Sequence, residues 1–426
     1  ANPGATASVG ANKLTTIAAL TGATLNTVNM TGTAVAITNA ATTVAATFDA
    51  SKLTGDGTAA GSKGLTLGGN LAVGSTVTGS ALIDTITLGT AGSTYNLGAG
   101  NDTVTGTLAQ YRASTVYNTI NAGDGTDTLT ISDGAGTTLT VVDDDFKGMT
   151  NAEKIAITDT TTGAQSITTG GWFDANFKAS GATLTTTSST GAITIVAGSF
   201  SGNMTLTTTS VGTAAAEGRT TVTTGSGNDT ISVTTDANTT LNVINGGAGN
   251  DTITHFGAST TTITGGTGAD IMTGVAGVVD TYKFANTGDS GTPTATNYDT
   301  ITNWVSGSDI IDFTGALTVV ANATTASAGV AAISAGSIAT FNAADTTLAQ
   351  HIIAVEAAMT KSSAASNGGT APTALNVVTW NEGADSFLFI TDGTAGVGAG
   401  DTLIKLTGIN NTGTFTLGGA NVTVIS

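Results

Sequence analysis

Five short segments of the chain repeat one pattern, and that pattern leaves few folds open. They are Gly98-Ala99-Gly100-Asn101-Asp102-Thr103-Val104, Gly123-Asp124-Gly125-Thr126-Asp127-Thr128-Leu129, Gly225-Ser226-Gly227-Asn228-Asp229-Thr230-Ile231, Gly246-Gly247-Ala248-Gly249-Asn250-Asp251-Thr252-Ile253 and Gly265-Gly266-Thr267-Gly268-Ala269-Asp270-Ile271-Met272. Glycine reaches the positive φ of tight turns. Here it lets a loop turn its carbonyl oxygens inward, and the aspartate adds a carboxylate at the loop's end. The next alternate residues form a short strand whose apolar side chain (Val104, Leu129, Ile231, Ile253) points into a core. Degenerate copies lie at 79–86, with Asp84, and at 277–282, with Asp280. A single loop of this kind falls short of the roughly six to eight oxygens that calcium takes, but stacked loops can sandwich an ion between neighbours. A lone Gly-x-Gly-x-Asp is usually an ordinary turn. Five copies, each continued by Thr or Ile and an apolar residue, are hard to obtain from composition alone.

Composition agrees with many short strands joined by tight turns. The 426 residues include 59 glycines and a large excess of threonine and alanine, with 5% aromatics. β-Branched residues suit pleated surfaces. Residues 1–80 alternate Thr or Ser with apolar residues, the strand period. Of the 29 acidic residues 25 are Asp, and the net charge is −18. Asp is short, tolerates turns and suits hard-cation ligation, so much of this charge calls for a local counter-ion. A chain this acidic lacks the basic face that nucleic acid requires. With no cysteine, rigidity must come from packing and metal ions. No stretch reaches the roughly 18 apolar residues of a membrane span, so membrane insertion is not expected. The start, Ala1-Asn2-Pro3-Gly4, shows no signal-peptide pattern.

The turns resemble the RTX nonapeptide repeat, Gly-Gly-x-Gly-x-Asp-x-U-x with U large and apolar. The resemblance implies an all-β chain: a parallel β-roll or β-helix, one coil per about 18 residues, binding several calcium ions through Gly98, Gly100, Asp102, Gly123, Gly125, Asp127, Gly225, Gly227, Asp229, Gly246, Gly247, Gly249, Asp251, Gly265, Gly266, Gly268 and Asp270, with Asp84 and Asp280 as weaker copies. Asp229, Asp251 and Asp270 should stack on one edge. The segment Asp280-Thr281-Tyr282-Lys283-Phe284, with Asp299-Thr300-Ile301 and Gly307-Ser308-Asp309 after it, looks like the cap of RTX rolls in type I secreted proteins, whose export signal is C-terminal. Phe48 to Gly55, Met149 to Ile157 and Asp401 to Ile409 are similar to pieces of RTX-type bacterial surface-layer proteins. That family implies an exported, extracellular protein that assembles with copies of itself on the bacterial surface and is anchored, through a region not identifiable here, to cell-surface polysaccharide.

Five segments are expected from this reading: a Thr/Ala-rich β segment (1–80), a first calcium-binding block (81–158), a β-strand segment (159–223), the main β-roll (224–281) and a C-terminal cap with a type I secretion region (282–426). Helical spacing is confined to 347–359 and, more weakly, 172–177. No His-Glu-x-x-His and no Gly-x-Ser-x-Gly occurs, so protease and lipase chemistry lack their motifs. His255 and His351 are expected to be exposed or packed, the tryptophans to pack in the cap, and Asp143-Asp144-Asp145 to form a solvated loop. The favoured function is a non-enzymatic, calcium-dependent surface layer. The rivals are a calcium-stabilised adhesin segment and the secretion tail of a larger enzyme.

Overall fold

The computed structural model describes residues 14–17, 20–22, 27–37, 40–55, 62–132, 138–158, 163–177, 179–188, 191–210, 219–235, 241–285, 288–320, 325–334, 336–367, 374–410, 415–419 and 421–425. The N-terminal Ala1 to Gly4 lies outside them. Strands hold 48% of the described residues and helices 8%, so these residues are nearly all β, as expected. It divides into two compact units, residues 1–208 and 209–426.

In the first unit, parallel strands stack coil upon coil. One stack runs through Lys63–Leu67, Ile83–Thr87, Thr103–Gly106, Thr128–Ser132, Lys154–Thr158 and Ala182–Ser188. Its register aligns Leu67, Ile86, Val104, Leu129, Ile155 and Leu184 in one buried column. A second stack, Thr27–Gly32, Thr47–Leu53, Thr76–Thr78, Thr94–Asn96, Thr119–Asn121 and Met149–Thr150, buries Val28, Phe48, Val77, Tyr95, Ile120 and Met149 in the same way. Strand period two sends the intervening threonines outward. Each buried aliphatic contributes about 1.5–3 kcal/mol over exposure, so the inward positions fix the register.

The triple-Asp segment departs from the solvated loop expected of it. It forms a single 3-10 turn, Asp143–Phe146. Asp145 is buried and paired with Arg112. Asp143 accepts the amides of Trp172 and Phe173 at 3.0 Å, capping the helix Gly171–Phe177. Phe146, Phe173, Phe177 and Phe200 then pack ring against ring.

The second unit repeats the plan. Thr230–Thr234, Thr252–Phe256, Ile271–Thr273, Asp299–Thr302 and Thr402–Leu406 align Ile231, Ile253, Met272, Ile301 and Leu406. Thr220–Thr223, Asn242–Ala248, Thr261–Thr267, Asp280–Phe284 and Ile310–Phe313 align Val222, Ile244, Ile263, Tyr282 and Ile311. The parallel order then ends. Asn421–Ile425 pairs antiparallel with Ile310–Phe313, and Asn376–Glu382, Asp385–Ile390 and Thr402–Leu406 form an antiparallel sheet. The helix Leu348–Asn367 extends beyond the predicted 347–359. It packs Ile352, Val355 and Met359 into a core with Trp380, Phe387 and Phe389. Trp304 and Trp380 are buried as expected, whereas Trp172 is 42% exposed.

Candidate metal centre

The glycine turns of successive coils lie almost in contact. Gly98, Gly100, Gly123, Gly125, Gly247, Gly249, Gly266 and Gly268 all have positive φ. A Cβ on Gly125 would stand 1.7 Å from the Gly100 carbonyl oxygen, and one on Gly266 would stand 1.7 Å from that of Gly247. The backbones are this close because the turns bond to one another. Asp124 N–H donates to the Gly98 carbonyl at 2.9 Å, Ala248 N–H to that of Gly225 at 2.8 Å, and Gly249 N–H to that of Thr267 at 2.8 Å. The Gly227 oxygen would meet a Cβ on Gly249 at 2.2 Å. Many turn carbonyls therefore already accept one hydrogen bond, with one lone pair remaining.

The acids at the ends of these turns form two ladders, one in each unit. In the first, Asp84 N–H donates to Asp102 Oδ1 at 2.7 Å, Asp102 N–H to Asp127 Oδ1 at 2.7 Å, and Asp127 N–H to Glu153 Oε2 at 2.8 Å. In the second, Asp229 donates to Asp251 at 2.7 Å, Asp251 to Asp270 at 2.8 Å and Asp270 to Asp299 at 2.9 Å. Each acid's own carbonyl receives an amide of the next coil, as Asp229 does from Thr252 at 2.8 Å and Asp270 from Thr300 at 2.7 Å. Asp229, Asp251 and Asp270 do stack on one edge. The sequence separations are 18, 25 and 26 in the first unit and 22, 19 and 29 in the second. The coil of about 18 residues implied by the resemblance thus holds only near Asp84 and Asp251. Elsewhere the coils carry insertions, such as the helix Leu108–Tyr111.

The second carboxylate oxygen separates the acids into two kinds. Oδ2 of Asp102, Asp127, Asp251, Asp270 and Asp299 is buried and has no hydrogen-bond partner. In the main roll a glycine makes room beside it: a Cβ on Gly246 would lie 2.4 Å from Asp251 Oδ2, and one on Gly265 would lie 2.1 Å from Asp270 Oδ2. The other kind is closed by its own turn. Asp84 Oδ2 accepts Ser80 N–H at 2.7 Å and Asp309 Oδ2 accepts Val305 N–H at 2.7 Å. Asp280 is mixed: its Oδ2 accepts Val275 N–H at 2.8 Å, while its buried Oδ1 has no hydrogen-bond partner and lies 3.5 Å from His255 Nδ1. Asp280 also stands apart from the ladder of Asp229, Asp251 and Asp270. It opens a strand of the other stack, and its amide donates to Asp309 Oδ1 at 3.0 Å.

Burial pushes the carboxyls of Asp102 and Asp251 up to about 7 and that of Asp270 up to about 6, with repulsion from neighbouring acids adding to it. Asp299 is raised well above the usual range, again by burial first and then by Asp270 and Asp289. Such a column lacks positive charge. The donors on offer are all oxygen, which suits a hard cation such as calcium rather than zinc. Among the described residues no three acid or histidine side chains converge. A cation here would therefore draw on one or two ladder carboxylates, at the roughly 4.8 Å strand spacing, and complete its shell with turn carbonyls. On this test the residues fit calcium.

Glu153 and Asp299 end the ladders without any glycine turn, so the glycine pattern misses them. A signal for both was present in the acid–x–apolar triplet: Glu153-Lys154-Ile155 and Asp299-Thr300-Ile301 match Asp102-Thr103-Val104 and Asp251-Thr252-Ile253.

His255 is buried rather than exposed. Its Nε2 lies 3.1 Å from the hydroxyls of Thr235 and Thr261, and its Nδ1 lies 3.5 Å from Asp280 Oδ1. The order hydroxyl, imidazole, carboxylate is that of a hydrolase triad. A triad must meet its substrate, and here Thr235, His255 and Asp280 are all buried. No protein-family model matches the chain, and no curated protein matches it. Among the described residues no helix is long and apolar enough to cross a membrane.

Proposed function

We propose that the chain is a calcium-dependent structural protein that assembles into a layer on the outside of a bacterial cell. The observation that carries this reading is the row of buried carboxylate oxygens without partners at Asp102, Asp127, Asp251, Asp270 and Asp299. An ionised carboxylate buried without a counter-charge is costly. Calcium between neighbouring coils removes that cost, so binding and folding become one event. Between chains, calcium bridges faces that otherwise repel at a net charge of −18. The partners are further copies of the same chain, with cell-surface polysaccharide as the anchor.

The test is circular dichroism and negative-stain microscopy of the purified chain with about 1 mM calcium, within the range of extracellular calcium modules, and with chelator. Strand signal gained together with ordered sheets supports the layer. Strand signal without sheets moves the reading to an adhesin segment or a secretion tail. An identical spectrum in both conditions removes calcium from the account.

A further inference from the structure

One column of side chains on the first unit is apolar where most outward positions are polar. Among the described residues that unit exposes five large apolar side chains, and four of them, Val44, Val73, Val116 and Trp172, stand in line. The register of Thr47 with Thr76 sets Val44 level with Val73. A Cβ on Gly92 would stand 2.9 Å from Val73 Cγ1 and 3.0 Å from Val116 Cγ1, so the bare glycine brings these valines side by side. Tyr117 follows Val116, and Lys147 Nζ lies 5.3 Å from the Tyr117 ring centre and 5.2 Å from that of Trp172. Five coil steps of about 4.8 Å make the column about 24 Å long. Single exposed apolar residues are ordinary, whereas a contiguous line of them marks a contact surface. Its largest members are already ordered. The Trp172 amide is held by Asp143 at 3.0 Å, and Lys147 is held between two ring faces, so docking costs them little further freedom.

Charge selects what covers the column. At a net charge of −18, copies of the chain repel wherever carboxylates meet. The column precedes the strands Thr76–Thr78, Thr94–Asn96 and Thr119–Asn121, and the ladder acids Asp84, Asp102 and Asp127 follow them. Ladder and column therefore lie at opposite ends of these strands. The one charge in the column is that of Lys147. Of the acids beside it, Asp143 caps the helix Gly171–Phe177 and Asp145 pairs with Arg112, while Asp144 is exposed. A patch that offers one cation and one anion is self-complementary across a two-fold axis. We propose that this column is a contact between copies of the chain, apolar line against apolar line, with Lys147 of each copy facing Asp144 of the other. The inference rests on the layer reading and names one of its contacts. A strip one or two side chains wide falls well short of the roughly 800 Å² per partner of a stable complex. The contact is therefore weak in an isolated pair and holds where many copies repeat it in one sheet.

The test is acrylamide quenching of tryptophan fluorescence in the full calcium-loaded chain, dilute and assembled. The chain has three tryptophans, and Trp304 and Trp380 are buried, so the quencher reaches Trp172. Quenching should be lost as sheets form. Sheets that form with Trp172 still open leave the column to another occupant, such as a polysaccharide, and overturn this contact alone. A chain that never associates overturns the layer and the contact together. A second readout compares two added charges. Val73→Asp, at a column position 57% exposed, should raise the concentration needed for sheets by about tenfold or more. Thr87→Asp places the same charge on an exposed position of the other stack and should change that concentration little. Equal effects of the two overturn the proposal. Should either variant unfold, the quenching of the wild-type chain still decides.

Discussion

At the scale of single residues, two glycines with the same handedness carry different burdens. Gly277 has φ +84 with nothing within 4 Å of a built Cβ, while Gly266 has φ +116 and the Gly247 oxygen 1.7 Å away. Gly277→Ala should cost only backbone strain, about 1 kcal/mol. Gly266→Ala should cost about 1–3 kcal/mol more for overpacking, as urea midpoints will show. The ladder acids give a prediction whose sign depends on the metal. Asp251→Asn keeps an oxygen for the Asp229 amide but removes a buried charge. Without calcium, at about pH 8, it should stabilise the chain by about 1 kcal/mol. With calcium it should destabilise by a similar amount and lower the number of ions bound, measured by calorimetric titration. The same direction in both states would show that Asp251 serves the ladder alone.

At the scale of elements, inward apolar positions decide which strands stack. Ile253 sits mid-column and fully buried, whereas Val279 is exposed. Ile253→Ala should cost about 2–5 kcal/mol, and Val279→Ala less than about 0.5 kcal/mol. This level was the most legible in the sequence. The glycine turns, the apolar residue two places after each acid, and both longer helices follow from spacing alone. Spacing along a chain does not reveal which edge of the coil a turn reaches, so Asp280 looks like a copy of Asp270 yet lies in the other stack. Nor does it show that Arg112 reaches across 33 residues to Asp145, or that His255 turns inward to meet Asp280. Those contacts arise because coils of unequal length bring distant segments level with one another.

For the whole molecule, the raised carboxyls set a pH dependence that opposes the usual one. A buried acid that holds its proton more tightly folded than unfolded favours the folded state at low pH and loses that advantage as it ionises. The metal-free chain should therefore lose stability as pH climbs from about 4, the ordinary carboxylate range, to the values near 6 and 7 of Asp270, Asp102 and Asp251. Calcium should flatten or invert that slope, because acid then expels the ion. Heat-unfolding midpoints across this range, with calcium and with chelator, check both signs.

The ladders also have a direction. Every rung between two acids runs from the amide of the earlier to the carboxylate of the later, as from Asp84 to Asp102 in the first ladder and from Asp270 to Asp299 in the second, and the first ladder opens on the Leu65 amide donating to Asp84. A coil joined after the last rung must therefore bring an acid of its own, while a coil joined before the first need offer only a peptide N–H. The architecture thus carries a rule for its own lengthening: a duplicated coil is accepted wherever it begins with an acid two places ahead of an inward apolar residue, whatever the length of the loop that follows.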